Sequence, residues 1–281
     1  MKPKPMFFAF GAVVLAGLTG CGSSMYNSTT PTTPTPPAAN PSVLSQLNTM
    51  TTIGSTVDAT NGDSNPYGLT IAQTTGGNVT AGDLLVCNFN DKAGTAGNGT
   101  TIEDLSPAAG AMPKRIAQDP SLQGCDALAV NPGGFIWAAA YTANDNPIFM
   151  PNGTLATTLA SSYSWANPWG QIYAQPNSTT SGTSYLRSHA SSSTVSAFYI
   201  TDAKTGSVVQ ANITSSGIAF NTIATGFPVN LTSAYGILAP AGLSYNPTLD
   251  TLYIVSSASN SVVAFKNGST IPAGGITVTA G

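Results

Sequence analysis

Residues 241–255 read Ala241-Gly242-Leu243-Ser244-Tyr245-Asn246-Pro247-Thr248-Leu249-Asp250-Thr251-Leu252-Tyr253-Ile254-Val255. An Asn-Pro turn separates two short apolar runs with strand composition, and Asn260-Ser261-Val262-Val263-Ala264-Phe265 follows as a third run. Asn and Pro mark the turn because Asn tolerates left-handed backbone and Pro fixes φ. The same grammar returns in residues 126–140, where Asn131-Pro132-Gly133-Gly134 separates Asp126–Val130 from Phe135–Ala140. It returns with a longer turn in Asn65–Ala72 followed by Gly82–Val86, and Asn167-Pro168-Trp169-Gly170-Gln171-Ile172-Tyr173-Ala174 opens a fourth unit. Short strands in a unit that recurs at irregular spacing, with long connections between, predict an all-β chain folded as a β-propeller.

Composition agrees with this. Only 7% of the 281 residues are charged, and Glu103 and His189 are the single Glu and the single His. Exposed helix faces use Glu, Lys, Arg and Gln, which lose little rotamer freedom in a helix, so their scarcity argues against helices. At roughly 40–50 residues per blade, a body over 45–281 has room for five or six blades. Six is the expected number, with five or an incomplete ring as the alternatives. The terminal Gly274–Gly281 reads as a last strand that pairs with N-terminal residues and closes the ring, or else the ring is open.

The units resemble NHL-type β-propellers, which read roughly Pro-x-Gly-Leu-Ala-Val, turn, Gly-x-Leu-Tyr-Val, turn, Asn-x-Ile/Val. The resemblance covers residues 58–105 and 235–268. It extends to a group of exported bacterial propellers carrying stretches like Asn61–Gly68, Gly82–Asn90 and Gly97–Ile102. It implies a fold more than a function, because propellers host lyases, lactonases, receptors and scaffolds.

The N-terminus predicts export. Lys2 and Lys4 precede an apolar run from Met6 to Leu18, the pattern of a secretory signal peptide over 1–20. The ending Leu18-Thr19-Gly20-Cys21 resembles a bacterial lipobox, which implies cleavage before Cys21 and lipid attachment to it. Acyl chains contribute roughly 0.8 kcal/mol per buried CH2, so two or three of them hold the mature chain on a membrane. Gly22 rather than Asp follows the cysteine, which in the lipoproteins it resembles implies sorting to an outer membrane. The expected location is the cell envelope, on the periplasmic or the surface side. Residues 21–44 are rich in Pro, Thr and Ser and form a tether. Loss of Lys2 and Lys4 leaves six basic against eleven acidic residues, a formal charge of −5. That excludes nucleic acid as an expected partner, since phosphate binding needs a basic patch.

Candidate chemistry is sparse. Cys87 and Cys125 have the choice of an envelope disulfide or of two buried thiols. A Ser-His-Asp triad would have to use His189, which lies in a polar loop-like segment without a nucleophile elbow. Calcium asks only for oxygen ligands, and Asn88, Asn90, Asp91 and Asp126 could supply them at a channel mouth; turn capping is the competing reading. No metal or other cofactor is assigned. Tyr163, Trp165, Trp169 and Tyr173 form either a stacking platform for a flat ligand or ordinary packing between blades. Long connections at 90–125 and 142–166 are expected to shape a recognition face. The expected function is a lipid-anchored binding or interaction module for a protein, glycan or small ligand. The alternative is a metal-dependent, lactonase-like hydrolase or lyase.

Overall fold

The computed structural model describes residues 43–175, 196–234 and 236–279. The chain divides into an N-terminal unit ending at Thr49, whose described part is a 3-10 turn at Val43–Gln46, and a unit from Met50 that holds every described strand. Cys21, the signal segment and His189 lie outside the described residues. Among the described residues no helix is long and apolar enough to cross a membrane.

Four antiparallel sheets, each a meander in sequence order, make four blades of a β-propeller. Blade 1 comprises β1 (Ser64–Ile71), β2 (Leu84–Asn90), β3 (Thr101–Leu105) and β4 (Lys114–Gln118). Blade 2 comprises β5 (Cys125–Val130), β6 (Ile136–Ala140), β7 (Ile148–Phe149) and β8 (Leu155–Thr157). Blade 3 comprises β9 (Pro168–Ala174), β10 (Ser196–Asp202), β11 (Ser207–Thr214) and β12 (Gly217–Thr225). A ribbon of β13 (Asn230–Ser233) and β14 (Gly236–Leu238) leads to blade 4, which has three strands, β15 (Pro240–Asn246), β16 (Thr251–Ser256) and β17 (Ser261–Lys266). The first strands β1, β5, β9 and β15 lie innermost, each against the next.

Turn chemistry sets where these strands begin. Asn65 and Asn167, each followed by Pro at the head of an inner strand, sit in left-handed backbone at φ 62° and 65°. Asn is among the few residues that accept that region, and the Pro behind it cannot continue a ladder on its own N–H. Asn246 caps the turn in blade 4 by accepting from the amides of Thr248 and Leu249. Asn131 does the same in blade 2 for the amide of Phe135.

Three apolar cores fill the three spaces between four blades. Leu85, Ile102, Leu122, Leu128, Ile136 and Phe149 pack blade 1 on blade 2. Trp137, Ile148, Trp165, Phe198, Ile200 and Val209 pack blade 2 on blade 3, with Trp137 and Phe198 stacked. Tyr199, Val208, Ile223, Leu252, Ile254 and Phe265 pack blade 3 on blade 4. Among the described residues blade 4 has no such core against blade 1: Val262 on β17 is 65% exposed and Leu69 on β1 63% exposed. The described ring is open between them.

The propeller architecture is as the repeats predict, and its described part has four blades rather than six. Successive inner strands begin at residues 64, 125, 168 and 240, so blades 1 and 3 take far more chain than a standard repeat. The segments expected as recognition connections also carry short outer strands: 90–125 holds β3 and β4, and 142–166 holds β7 and β8. Charged residues disguised β3 and β4, since Glu103, Asp104, Lys114 and Arg115 do not read as strand from composition. The terminal strand β18 (Ile276–Thr277) does not close the ring either. It pairs in parallel with β12 at the outer edge of blade 3, leaving the blade 4 face uncovered.

Cys87 on β2 and Cys125 at the head of β5 are bonded to one another, with their Cα atoms 5.8 Å apart, and tie blade 1 to blade 2.

A buried ionic cluster stiffens blade 1. Arg115 donates to both carboxylate oxygens of Asp58, which also accepts from the amides of Thr60 and Asn61. These partners hold the Asp58 carboxyl well below its ordinary value despite burial. Glu103, on the neighbouring strand, is 1% exposed, and burial first, then the hydrogen bond and charge of Asp58, push its carboxyl from 4.5 up to about 8. A raised value means that the folded state holds a proton that the unfolded chain releases. Stability is therefore full below about pH 4.5 and falls as pH rises to about 8, at no more than about 1.4 kcal/mol per pH unit. Asp58, depressed, acts in the acid range below this window. We expect Glu103→Gln, which keeps a donor toward Asp58, to flatten the slope and to exceed wild type in stability at pH 8. Urea unfolding at half-unit intervals from pH 5 to 8 measures both; a flat wild-type profile would contradict the buried proton.

Candidate functional site

The channel runs between the inner strands, and its lining is set by one motif. Pro66-Tyr67-Gly68-Leu69, Cys125-Asp126-Ala127-Leu128, Pro168-Trp169-Gly170-Gln171 and Pro240-Ala241-Gly242-Leu243 occupy corresponding places in β1, β5, β9 and β15. In every blade the pairing of the inner strand slips its register across this motif: between Pro66 and Gly68, Cys125 and Ala127, Pro168 and Gln171, and Pro240 and Leu243. A register slip turns side chains out of the regular pleat, which is why such irregularities recur beside functional sites. Here it falls on Tyr67, Asp126, Trp169 and Ala241.

The result is two adjoining cavities. One of about 240 Å3 is lined by Tyr67, Asp126 and Trp169. One of about 580 Å3 lies toward the C-terminal ends of the same strands, beside Thr70, Val130, Tyr173 and Gln175. Leu69, Leu128, Gln171 and Leu243, each two residues beyond the motif's second position, border both. Gln171 is already committed: its amide donates to the carbonyl of Trp137 and accepts from Asn146.

Close backbone approach at the glycines makes this geometry accessible. A Cβ on Gly68 would lie 2.7 Å from Cys87 Sγ and 3.0 Å from the Ala127 backbone, and one on Gly170 would overlap the Ala241 carbonyl. Thr201 bridges the latter pair, accepting from the Gly170 amide and donating to the Ala241 carbonyl.

Asp126 is the unusual group. It is 8% exposed, and neither carboxylate oxygen has a hydrogen-bond partner in another described residue. Burial pushes its carboxyl well above the ordinary carboxylate range, because a charge in low dielectric is costly without a partner. Around the same end, Tyr67 stacks on Phe89 with centroids 4.6 Å apart, and Trp169 meets Tyr67, Phe89 and Tyr141 edge to face at 6.2, 6.2 and 5.1 Å. Burial and the charge of Asp126 raise the Tyr141 hydroxyl.

No known protein family and no curated protein matches the chain. Its solved neighbours share an architecture. One is a streptogramin B lyase, at TM-score 0.45 and 15% identity over 75% of this chain and 55% of that chain. Another is a catalytically inactive virginiamycin B lyase from Staphylococcus aureus solved with quinupristin, at TM-score 0.40 and 15% identity over 73% and 67%. A third is a nidogen/laminin complex, at TM-score 0.44 and 14% identity over 76% and 68%. The chain spans just over half the length of the streptogramin B lyase. At this identity the likeness concerns the fold alone.

The residues weighed as calcium ligands do not converge. Asn88 donates to the Thr56 carbonyl and to Thr101 Oγ1, Asn90 donates to the Gly94 carbonyl, and Asp91 accepts from the Thr95 amide and from Asn98. Three of the four thus serve turns and strand edges, and Asp126 alone faces the channel. Among the described residues no group of three or more His, Cys, Asp or Glu could hold a metal ion.

The aromatic group also divides. Tyr163 and Trp165 pack with Phe220 in the core between blades 2 and 3, and Tyr173 packs on Phe198 while touching the larger cavity. Trp169 stands apart at the Asp126 end. Its companion Tyr67 was visible in the sequence as the same position of the Pro-x-Gly motif, read across blades instead of along one segment.

Proposed function

We propose that the chain is an exported, lipid-anchored β-propeller of the cell envelope, sorted to an outer membrane, that binds a small ligand in its channel and does no chemistry on it. The observation that carries the binding reading is the convergence of Tyr67, Asp126 and Trp169, from three blades, on the Asp126 end of the channel. Pockets that combine apolar and aromatic walls with a few aimed polar groups are the usual form of small-ligand sites. A hydrolase would need a nucleophile or activated water held by a base, and Asp126 is the one acidic residue among those described that lines either cavity. The anchor reading rests on Lys2, Lys4, the apolar run and Leu18-Thr19-Gly20-Cys21.

A thermal-shift panel of sugars, lactones, carboxylates, alcohols and amines tests the binding. A ligand at a hundredfold excess over its Kd stabilises by about 2.7 kcal/mol, which raises the midpoint of a domain this size by about 5–10 °C. We expect at least one class to do so and Trp169→Ala to abolish the shift. A panel without any shift, or shifts indifferent to Trp169, would refute channel binding. In the same preparation Cys21→Ser should move the protein from the membrane to the soluble fraction; its retention there would refute the anchor.

A further inference from the structure

We propose that the Asp126 end of the channel is an organic-cation site, which takes an ammonium group, primary or N-methylated, carried on an apolar body. The inference deepens the binding reading and rests on it.

Three observations carry it. The first is the missing partner. Asp126 is nine-tenths buried in the wall of a cavity and offers two acceptor oxygens that no other described residue meets. Buried acceptors left open are costly, so proteins retain few of them outside sites that a ligand completes. Among the described residues no Lys or Arg lines either cavity, so the countercharge that would let Asp126 ionise has to arrive with the ligand. The second is the surrounding π surface. Tyr67 and Trp169 share the cavity with Asp126, and Phe89 and Tyr141 pack against them. Aromatic faces attract cations and ammonium groups in particular, while the same faces, with no cationic side chain beside them, offer nothing to a phosphate or carboxylate.

The third is what lies beyond. The next layer is Leu69, Leu128 and Leu243, with Gln171 spent on Trp137 and Asn146. A ligand extending from Asp126 along the strands therefore meets apolar side chains before the larger cavity. That order, carboxylate and aromatics first and aliphatics second, matches an amphiphilic amine. It does not suit a divalent ion, which needs several oxygen ligands where one carboxylate is present.

Calorimetric titration of the full-length protein with four probes of one shape tests the charge requirement: phenethylamine, its trimethylammonium analogue, 2-phenylethanol and phenylacetate. We expect at least one ammonium probe to bind about ten-fold or more tightly than the alcohol, and phenylacetate to bind most weakly. Asp126→Asn, which keeps the shape and removes the charge, should erase the ammonium advantage and leave the alcohol's affinity within two-fold. If the Asp126→Asn protein does not fold, the comparison of the four probes on wild type decides alone. Equal affinities for amine and alcohol, or an ammonium advantage that survives in a folded Asp126→Asn protein, would overturn the cation site. Binding of the alcohol that depends on Trp169 would then leave channel binding standing, whereas no binding by any probe, together with an empty thermal-shift panel, would remove both.

Discussion

Replacing Cys87 and Cys125 together by Ala is expected to lower the stability of the propeller by about 4 kcal/mol. The bridge closes a loop across a sequence separation of 38 residues, and the chain-entropy relation gives about that figure for a loop of this length. The enthalpic view of disulfides would change the temperature dependence more than the size. For a domain of this length the loss corresponds to a midpoint lowered by about 8–16 °C. Both cysteines are fully buried, so a reductant would act slowly and the double variant is the cleaner measurement. The location of the bridge makes the effect cooperative. It joins β2 of blade 1 to the first residue of β5, next to Gly68, where β1 and β5 approach closely, so losing it loosens the register that presents Asp126 to the channel. Indistinguishable midpoints for wild type and double variant would mean that the bridge adds nothing to what the Leu85, Ile102 and Leu128 core already fixes.

The repeats in the sequence carried more information than the length. Four recurrences of strand, turn and strand were readable, at Asn65, Asp126, Asn167 and Ala241, and each heads one blade. Dividing the length by a standard repeat gave five or six blades where the described residues form four, because that arithmetic assumes uniform connections and the inner strands begin at residues 64, 125, 168 and 240. Within blade 1 the outer strands β3 and β4 carry Glu103, Asp104, Lys114 and Arg115. Those charges are tolerated in strands for a tertiary reason that sequence does not display: Asp58, some fifty residues earlier in the chain, pairs with Arg115, and burial together with Asp58 raises the Glu103 carboxyl.

The candidate site was legible by type and not by position. Asp126 and Trp169 were both singled out, but with other companions: Asp126 with Asn88, Asn90 and Asp91 at another strand's end, and Trp169 with Tyr163, Trp165 and Tyr173 of its own segment. A propeller assembles its channel from equivalent positions of different blades, so the relevant neighbours of Trp169 are Tyr67 and Asp126. The register slips that turn these side chains depend on backbone pairing, which composition does not encode.

Gly170→Ala and Gly242→Ala are expected to behave oppositely, although both change the glycine of a Pro-x-Gly motif on an inner strand. Neither residue has a positive φ, so backbone strain does not separate them. What separates them is the next blade. A methyl group on Gly170 would overlap the Ala241 carbonyl and crowd Thr201 Oγ1, which holds β9 to β15 through two hydrogen bonds. Relief requires blade 4 to move, and the cost is about 3 kcal/mol or more, at the upper end for overpacking. A methyl group on Gly242 meets no described residue within 4 Å. Its expected effect is neutral to slightly stabilising, by up to about 1 kcal/mol, because Ala restricts the unfolded chain more than Gly does. Thermal midpoints of the two variants read out whether blade 4 has a neighbour in solution. A loss at Gly242 comparable to that at Gly170 would show that another surface packs against β15 and closes the ring. The predicted asymmetry would mean that β15 has no further surface packed on it in solution, with the Asp126 channel walled by the contacts between β1, β5, β9 and β15 and reachable between β15 and β1.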